Sequence, residues 1–187
     1  MRVLLDACVL FPSVLREMLL GAARTGAFLP LWSERILEEW ARATRRLPAG
    51  AEAVARAEIA AMRAAWPESE VAVDEDLLRT LSLPDPDDRH VLAAAIAAGA
   101  EVLMTLNRRD FPPRTLARHG LLLREPDGFL TELHHEGFDL VGVASDVLAR
   151  AESVSGREQA LRGRLKRAGL PRLGKALAVS PTAGHPT

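Results

Sequence analysis

Residues 88–105 read DRHVLAAAIAAGAEVLMT, an alanine-rich segment that Gly99 separates from a short apolar run. The first part has the composition of a helix beginning at Asp88, and glycine is the residue that most often follows the last turn of a helix. The second part, Val102 to Thr105, is a short apolar run typical of a buried strand in a parallel sheet. The stretch therefore predicts a helix leading directly into such a strand.

The same alternation continues on both sides of this stretch. Further strands are predicted at residues 1–5, 28–32, 71–73 and 121–123. Further helices are predicted at residues 12–24, 33–46, 51–66, 77–81 and 112–119. The strand at residues 28–32 contains Pro30, which favours an edge of the sheet because proline cannot donate to a strand ladder. The order of elements predicts an α/β fold with a mainly parallel central sheet.

The pattern changes after residue 125, where it becomes wholly helical. We expect an α/β domain over residues 1–125 and a helical C-terminal extension over residues 126–170. Residues 171–187 are rich in proline and glycine, and we expect a flexible tail there. A chain of 187 residues is long enough to bury one well-packed core.

Composition restricts the function classes. The formal net charge of −1 gives no general attraction to nucleic acid or membrane, so any such attraction has to be local. The single cysteine, Cys8, excludes an intramolecular disulfide and fits a reducing cytoplasm. No apolar run approaches the ~18 residues of a membrane span, and the N-terminus has no secretion signal. We expect a cytoplasmic protein with no membrane partner.

Three acids lie where the predicted strands and helices meet. Asp6 ends the first apolar run, Asp88 opens the alanine-rich helix, and Asp110 follows the strand that ends at Thr105. Ligands bind beyond the carboxyl ends of parallel strands, so Asp6 and Asp110 can converge although they are far apart in sequence. Each acid also has an ordinary structural explanation: a turn or helix cap for Asp6, a first-turn charge for Asp88, and a turn for Asp110.

Helical spacing selects a fourth acid, Glu39. Glu39 lies at the border of the stripe formed by Ile36 and Trp40, which is predicted to pack inward. Its neighbour Glu38 has a complete explanation on the solvent face, where it lies four residues from Arg42. We therefore assign Glu39, and not Glu38, to the candidate site.

The same reasoning separates the acids around residue 88. Asp88 shares a helix face with Val91 and is predicted to point towards the sheet. Asp87 is interpreted as the helix cap or a first-turn charge, and Asp85 as a residue that precedes the helix. His90 is expected on the solvent face.

Crowded carboxylates repel one another unless a cation joins them. Oxygen-only ligands favour Mg²⁺ or Mn²⁺, and one or two such ions can bind a phosphodiester and activate water. A receiver or a haloacid-dehalogenase-like phosphatase is disfavoured because each needs a lysine in the α/β domain, whereas the only lysines here are Lys166 and Lys175. Cys8 is disfavoured as a nucleophile, since no histidine lies near it in sequence.

These segments, in this order, resemble the PIN-domain ribonucleases, and VapC-like toxins in particular. The resemblance covers about residues 1–125 and is carried by the runs LLDACV at 4–9, DPDD at 85–88 and TLNRRDF at 105–111, together with Glu39. The family often has asparagine where Cys8 stands, and many members have aspartate where Asn107 stands.

The resemblance implies a three-layer α/β/α fold and cleavage of single-stranded RNA with water as the nucleophile. It implies a Mg²⁺ or Mn²⁺ site formed by four catalytic acids, namely Asp6, Glu39, Asp88 and Asp110. Thr105 and Asn107 would be supporting polar groups. It also implies a possible homodimer and a possible antitoxin partner. The alternative is a non-catalytic, RNA-binding or regulatory PIN module, and a cleavage assay on single-stranded RNA with Mn²⁺ or EDTA separates the two.

Two basic segments are candidates for binding RNA. Arg108 and Arg109 lie beside Asp110 and are the candidates for binding phosphate next to the metal. The segment from Arg157 to Lys175 carries many cations and one acid, Glu158. It fits RNA phosphates and an acidic partner equally well.

Overall fold

The computed structural model describes residues 1–155 and 160–179. Its sheet has five parallel strands in the order β3-β2-β1-β4-β5. The strands are β1 (Arg2–Leu5), β2 (Leu29–Ser33), β3 (Glu70–Val71), β4 (Val102–Met104) and β5 (Leu122–Arg124). Helices flank this sheet, so the predicted α/β fold with a mainly parallel sheet is confirmed.

The described helices follow the predicted alternation. They are α1 (Ala7–Leu10), α2 (Ser13–Arg24), α3 (Glu34–Ala43), α4 (Ala51–Ala65), α5 (Glu75–Thr80), α6 (Arg89–Ala97), α7 (Pro113–Ala117), α8 (Pro126–His135), α9 (Leu140–Ser155), α10 (Leu161–Arg167) and α11 (Pro171–Val179). Short 3₁₀ turns precede α4 and α6, at Thr44–Arg46 and Pro86–Asp88. The stretch that begins at Asp88 therefore forms a turn, α6 and β4, in that order.

Strand β1 lies at the centre of the sheet. Its residues Val3, Leu4 and Leu5 are fully buried, as expected for a strand covered on both faces. It pairs with β2 on one side and β4 on the other. Helix α6 packs against β1, β2 and β4 and therefore lies over the middle of the sheet.

The prediction that the proline-containing strand lies at an edge is wrong, because β2 lies between β1 and β3. The amide of Leu29 bonds to Met1, so the neighbouring position, Pro30, faces away from β1. Strand β3 pairs only from Trp32 onward and does not reach the level of Pro30. The missing amide proton of Pro30 therefore breaks no ladder bond.

The chain folds into two compact units. The first comprises residues 1–11 and 28–125 and contains the sheet, and the second comprises residues 12–27 and 126–187. Helix α2 thus belongs with the C-terminal helices, whereas the sequence pattern places it inside a domain over residues 1–125. Within the second unit, Gly21 of α2 meets Val143 of α9. Asp127 of α8 accepts hydrogen bonds from the first backbone amides of α11.

Part of the predicted C-terminal tail is helical. Residues 171–179 form α11, whose Leu173 is fully buried, so a tail beginning at residue 171 is wrong for this part. The apolar residues of the segment find a packing surface on α10 and α8, which its proline and glycine content did not reveal. Residues 156–159 and 180–187 lie outside the described residues. In the described chain, no helix combines the length and the apolar character of a membrane span.

Candidate metal centre

The site lies where the two central strands β1 and β4 end. Leu5 and Met104 are partners in the sheet, and the amide of Asp6 continues the ladder by donating to the carbonyl of Met104 at 3.1 Å. Asp6 is 7% exposed. It occupies the N-cap position of α1, but its side chain makes no capping hydrogen bond. Its carboxylate is therefore not used to begin the helix.

A chain of hydrogen bonds links Asp6 to Asp88. The fully buried hydroxyl of Thr105 donates to Asp6 Oδ2 at 2.7 Å. The same hydroxyl accepts the backbone amide of Asn107 at 3.0 Å, and the Asn107 carboxamide donates to Asp88 Oδ2 at 3.2 Å. Thr105 and Asn107 thus orient two of the predicted acids.

Cys8 belongs to this network. Its thiol donates to Asp6 Oδ2 at 3.1 Å and lies 3.3 Å from the Thr105 hydroxyl. Its sulfur accepts the backbone amide of Leu106 at 3.2 Å. Burial, followed by the charge of Asp6, raises the pKa of the Cys8 thiol to about 12. The thiol therefore stays protonated at neutral pH, acts as a donor to Asp6 and is not a nucleophile.

Three carboxylates converge beside this network. Oxygen atoms of Asp85, Asp88 and Asp110 all lie within 4.8 Å of one another. Asp85, which the sequence interpretation leaves outside the site, is the cap of the turn before α6, since its Oδ1 accepts the amide of Asp87 at 2.9 Å. Of the two roles predicted for Asp87, the structure shows the first-turn charge and not the cap. Asp88 occupies the N-cap position of α6 without making a capping hydrogen bond.

The pKa of Asp88 reflects its burial and the acids around it. Burial raises the pKa of the Asp88 carboxyl to about 6, together with the negative charges of Asp6, Asp85 and Asp110, and His90 opposes the shift. Asp6 lies outside the group of three, yet it is close enough to act on Asp88. A cation at this position would relieve the repulsion between the carboxylates and offset the cost of burying their negative charges.

Glu39 takes part in a different arrangement. Its Oε1 lies 2.9 Å from Nε2 of His90 and 3.2 Å from Nε of Arg35. Burial raises the pKa of Glu39, but the hydrogen bonds and charges of His90 and Arg35 outweigh this, and the pKa is lowered overall. Glu39 is outside the group formed by Asp85, Asp88 and Asp110. His90, two residues after Asp88, connects it to the start of α6.

The expectation that His90 faces solvent is wrong. Its side chain is only 4% exposed, and Nδ1 has no hydrogen-bond partner among the described residues. Its other ring nitrogen, Nε2, donates to the carboxylate of Glu39. Helix α6 packs against the sheet and carries His90 inward towards α3. His90 is therefore a site residue that the sequence interpretation missed.

The two arginines after Asn107 are exposed. Arg108 Nη1 lies 3.5 Å from Glu125 Oε2, and 63% of the Arg108 side chain is exposed. Arg109 is exposed as well. A separate cleft of about 640 Å³ lies along α3 and is bounded by its charged residues, including Arg35 and Glu39.

Asp85 and His90 could have been found from their spacing to Asp88. Asp85 lies three residues before Asp88, and the proline between them favours a tight turn that returns the chain towards the helix start. His90 lies one position before Val91 in a helix that is buried over most of its surface, so few of its faces are left for solvent. Both relations are visible in the sequence once the helix is known to be buried.

The fold and the acids define a class: an α/β protein with a group of carboxylates that could hold a metal ion, next to the carboxyl ends of parallel strands. The family model described as "PIN domain" matches residues 2–109. This is more than half of the chain, and the protein belongs to the PIN-domain family. No curated protein and no solved structure matches the chain.

Family membership and geometry agree on the general chemistry. PIN domains are generally metal-dependent nucleases, and the family suggests nuclease activity here. The group of three acids offers only carboxylate oxygens, a donor set that suits a hard divalent cation. The predicted family is thus confirmed.

Proposed function

We propose that this protein is a Mg²⁺- or Mn²⁺-dependent endoribonuclease that hydrolyses phosphodiester bonds of single-stranded RNA. The observation that carries the proposal is the convergence of Asp85, Asp88 and Asp110 beside Asp6. Asp6 and Asp88 occupy helix N-cap positions without capping. Neither carboxylate caps its helix, and the pKa of Asp88 is raised by burial and by neighbouring acids, a combination typical of functional sites.

The proposed metal ligands are the acids around this point. Asp88 and Asp110 would hold the ion with Asp6, as the sequence predicted, and Asp85 is an added candidate. Glu39 is the fourth predicted ligand, and its bonds to His90 and Arg35 would orient it. A bound divalent ion would polarise the phosphate and activate water.

The chain's own residues would prepare the site for substrate. Thr105 and Cys8 hold one oxygen of Asp6 and leave its other oxygen available. Asn107 likewise holds Oδ2 of Asp88. Arg108 and Arg109, which are exposed after β4, would bind phosphate groups that approach the acids.

The test is cleavage of a labelled single-stranded RNA by the purified protein with Mg²⁺, Mn²⁺ or EDTA. We expect internal cleavage with either ion and none with EDTA. Asp6→Asn and Asp110→Asn should each abolish cleavage while the circular-dichroism spectrum stays unchanged. Full cleavage in EDTA, or in either variant, would contradict the metal site.

The second candidate is a non-catalytic RNA-binding or regulatory PIN module, favoured by Cys8 and Asn107 at positions where the family often has other residues. Binding of RNA without cleavage under any metal condition would support it. The polar network makes it the weaker candidate, because both residues keep the acids hydrogen-bonded.

The biological setting we propose is that of a cytoplasmic toxin in a toxin–antitoxin pair, active as a possible homodimer. The support is the resemblance of the motifs around Asp6, Asp88 and Asp110 to those of VapC-like toxins. Expression of the wild-type protein should arrest growth, and Asp6→Asn should not. Equal growth in both cultures would argue against a toxin.

A further inference from the structure

We propose that the helical hairpin formed by α10 and α11, residues 160–179, binds the phosphate backbone of single-stranded RNA. This inference rests on the proposed function, since RNA is the proposed substrate, and it assigns a binding surface outside the metal centre. The hairpin lies in the second compact unit and contains none of the acids discussed above.

The hairpin has a strongly asymmetric charge distribution. Residues 160–179 contain six cations and no acid, in a protein whose net charge is −1. They are Arg162, Arg164, Lys166, Arg167, Arg172 and Lys175. Both lysines of the chain are among them.

Packing places most of these cations outward. The leucines of the hairpin are turned inward, and Leu165, Leu170 and Leu173 are almost completely buried. At Gly174, α11 lies in van der Waals range of Leu165 and Arg162 of α10. The exposed cations are Arg162, Lys166, Arg167, Arg172 and Lys175.

These cations differ from the arginines of the first unit that are ion-paired. Arg45, Arg63 and Arg79 are exposed, and each is paired with a carboxylate. By contrast, four cations of the hairpin, namely Arg162, Lys166, Arg172 and Lys175, make no ion pair within the described residues. Like charges in one short hairpin repel, and a polyanion would remove that repulsion.

The hairpin is held in a defined position within its unit. Asp127 accepts hydrogen bonds from the backbone amides of Arg172 and Leu173 at 3.0 to 3.1 Å. Asp127 therefore occupies the N-terminus of α11, and that helix end is not available to an anion. Binding would depend on the side chains of the exposed cations.

The surface suits a phosphate backbone better than an acidic protein. Protein interfaces usually have an apolar or aromatic core inside a polar rim. Among the leucines of this hairpin only Leu161 is partly exposed, and the hairpin has no aromatic residue, so such a core is absent from its described surface. Contacts to phosphates need only cations and do not require base stacking.

The experiment measures binding of a fluorescent 20-nucleotide RNA by anisotropy in EDTA, where no metal-dependent cleavage takes place. The hairpin variant carries Arg162→Gln, Lys166→Gln and Lys175→Gln. The control carries Arg45→Gln, Arg63→Gln and Arg79→Gln, which changes the net charge equally but removes paired arginines. Thermal melting of both variants checks that they are folded.

We expect the hairpin variant to bind RNA more weakly and with a smaller salt dependence. The slope of log affinity against log salt should fall by about 2, since each phosphate contact on a single strand contributes about 0.7. The control should retain the wild-type slope. Equal slopes in wild type and hairpin variant, or equal losses in both variants, would overturn the proposal.

Two further measurements distinguish RNA binding by the hairpin from binding of an acidic protein and from the proposed nuclease activity. A labelled polyglutamate peptide of equal charge that binds more tightly than RNA would overturn it and indicate an acidic protein partner. Cleavage is measured separately with Mn²⁺. RNA that binds through the hairpin but is not cleaved would refute the proposed nuclease activity alone, whereas cleavage with no effect of the hairpin variant on binding would refute the surface alone.

Discussion

The negative charge of Asp88 destabilises the folded, metal-free protein, whereas the proposed metal site needs this charge. Its pKa is raised from an ordinary 3.8 to about 6 by burial and by the acids around it. Between these two values the folded state retains a proton that the unfolded state releases. The stability of the metal-free protein therefore falls as pH rises through this window and stays lower above about pH 6.

We predict that Asp88→Asn raises the thermal stability of the metal-free protein at pH 7.5 while abolishing cleavage. Asparagine removes the buried charge and can still accept the hydrogen bond from Asn107. The measurement is thermal melting in EDTA at pH 7.5 and at pH 3.5. The gain in melting temperature should disappear at the lower pH, and a lower melting temperature for the variant at pH 7.5 would contradict the prediction.

His90 provides a second test at the scale of one residue. Its buried Nε2 donates to Glu39, so removing the donor should leave Glu39 less well oriented. We predict that His90→Leu weakens Mn²⁺ binding by about 10–100-fold, the usual effect of losing a partner of a metal ligand. His90→Gln, which keeps an N–H donor, should restore most of the affinity. Free Mn²⁺ is measured by electron paramagnetic resonance, and an unaltered affinity in His90→Leu would show that this contact has no role in binding.

At the scale of an element, α3 presents two adjacent acids with different partners. Glu38 binds Arg42 and Arg56, and these hydrogen bonds lower the pKa of Glu38 to about 2. Glu39 binds His90 and Arg35 instead. Exposure does not separate the two acids, since 31% of the Glu38 side chain and 39% of the Glu39 side chain is exposed. The partners separate them.

We predict that Glu38→Gln leaves the cleavage rate unchanged and slightly lowers the melting temperature, because it weakens ion pairs between α3 and α4. Glu39→Gln should lower cleavage about tenfold or more, as expected for a group that binds or supports the metal. Initial rates at saturating Mn²⁺ provide the comparison. Equal cleavage rates in the two variants would mean that Glu39 is no more important for cleavage than Glu38.

Helices α2 and α9 of the second unit meet at Gly21. A Cβ at this position would overlap Val143 Cγ1. Alanine is favoured over glycine in a helix by about 1 kcal/mol, whereas overpacking costs about 1–3 kcal/mol. Because the Val143 side chain is stiff in a helix, we predict that Gly21→Ala lowers the free energy of unfolding by about 1 kcal/mol.

A double-mutant cycle checks this contact by chemical denaturation. Val143→Ala removes the overlapping methyl groups, so the double variant should be more stable than the sum of the single effects by about 0.5 kcal/mol or more. Additive effects would show that a methyl group at position 21 does not clash with Val143, and would contradict the prediction.

Metal binding should raise the thermal stability of the protein as a whole. A ligand that binds only the folded state adds about 2.7 kcal/mol at one hundred times its dissociation constant. We predict that Mn²⁺ raises the melting temperature of the wild-type protein and has little effect on a variant carrying Asp88→Asn and Asp110→Asn. Equal shifts in both proteins would place the metal elsewhere.

The alternation of helices and strands could be predicted from the sequence, because periodicity and breakers are local properties of the chain. The sequence also predicted that Asp6 and Asp110 follow strands that end at the same edge of a parallel sheet, so that the two acids can converge. The alternation indicated the fold class, and the resemblance of the motifs around Asp6, Asp88 and Asp110 indicated the PIN family; both are confirmed.

The remaining features depend on how the helices and strands pack together in three dimensions. This packing brought Asp110 to Asp85 and Asp88, with carboxylate oxygens within 4.8 Å of one another, paired His90 with Glu39 of α3, and placed the Cys8 thiol between Asp6 and Thr105. It also grouped α2 with the C-terminal helices. Each of these depends on packing between elements, often far apart along the chain, and local patterns carry no information about which surfaces meet.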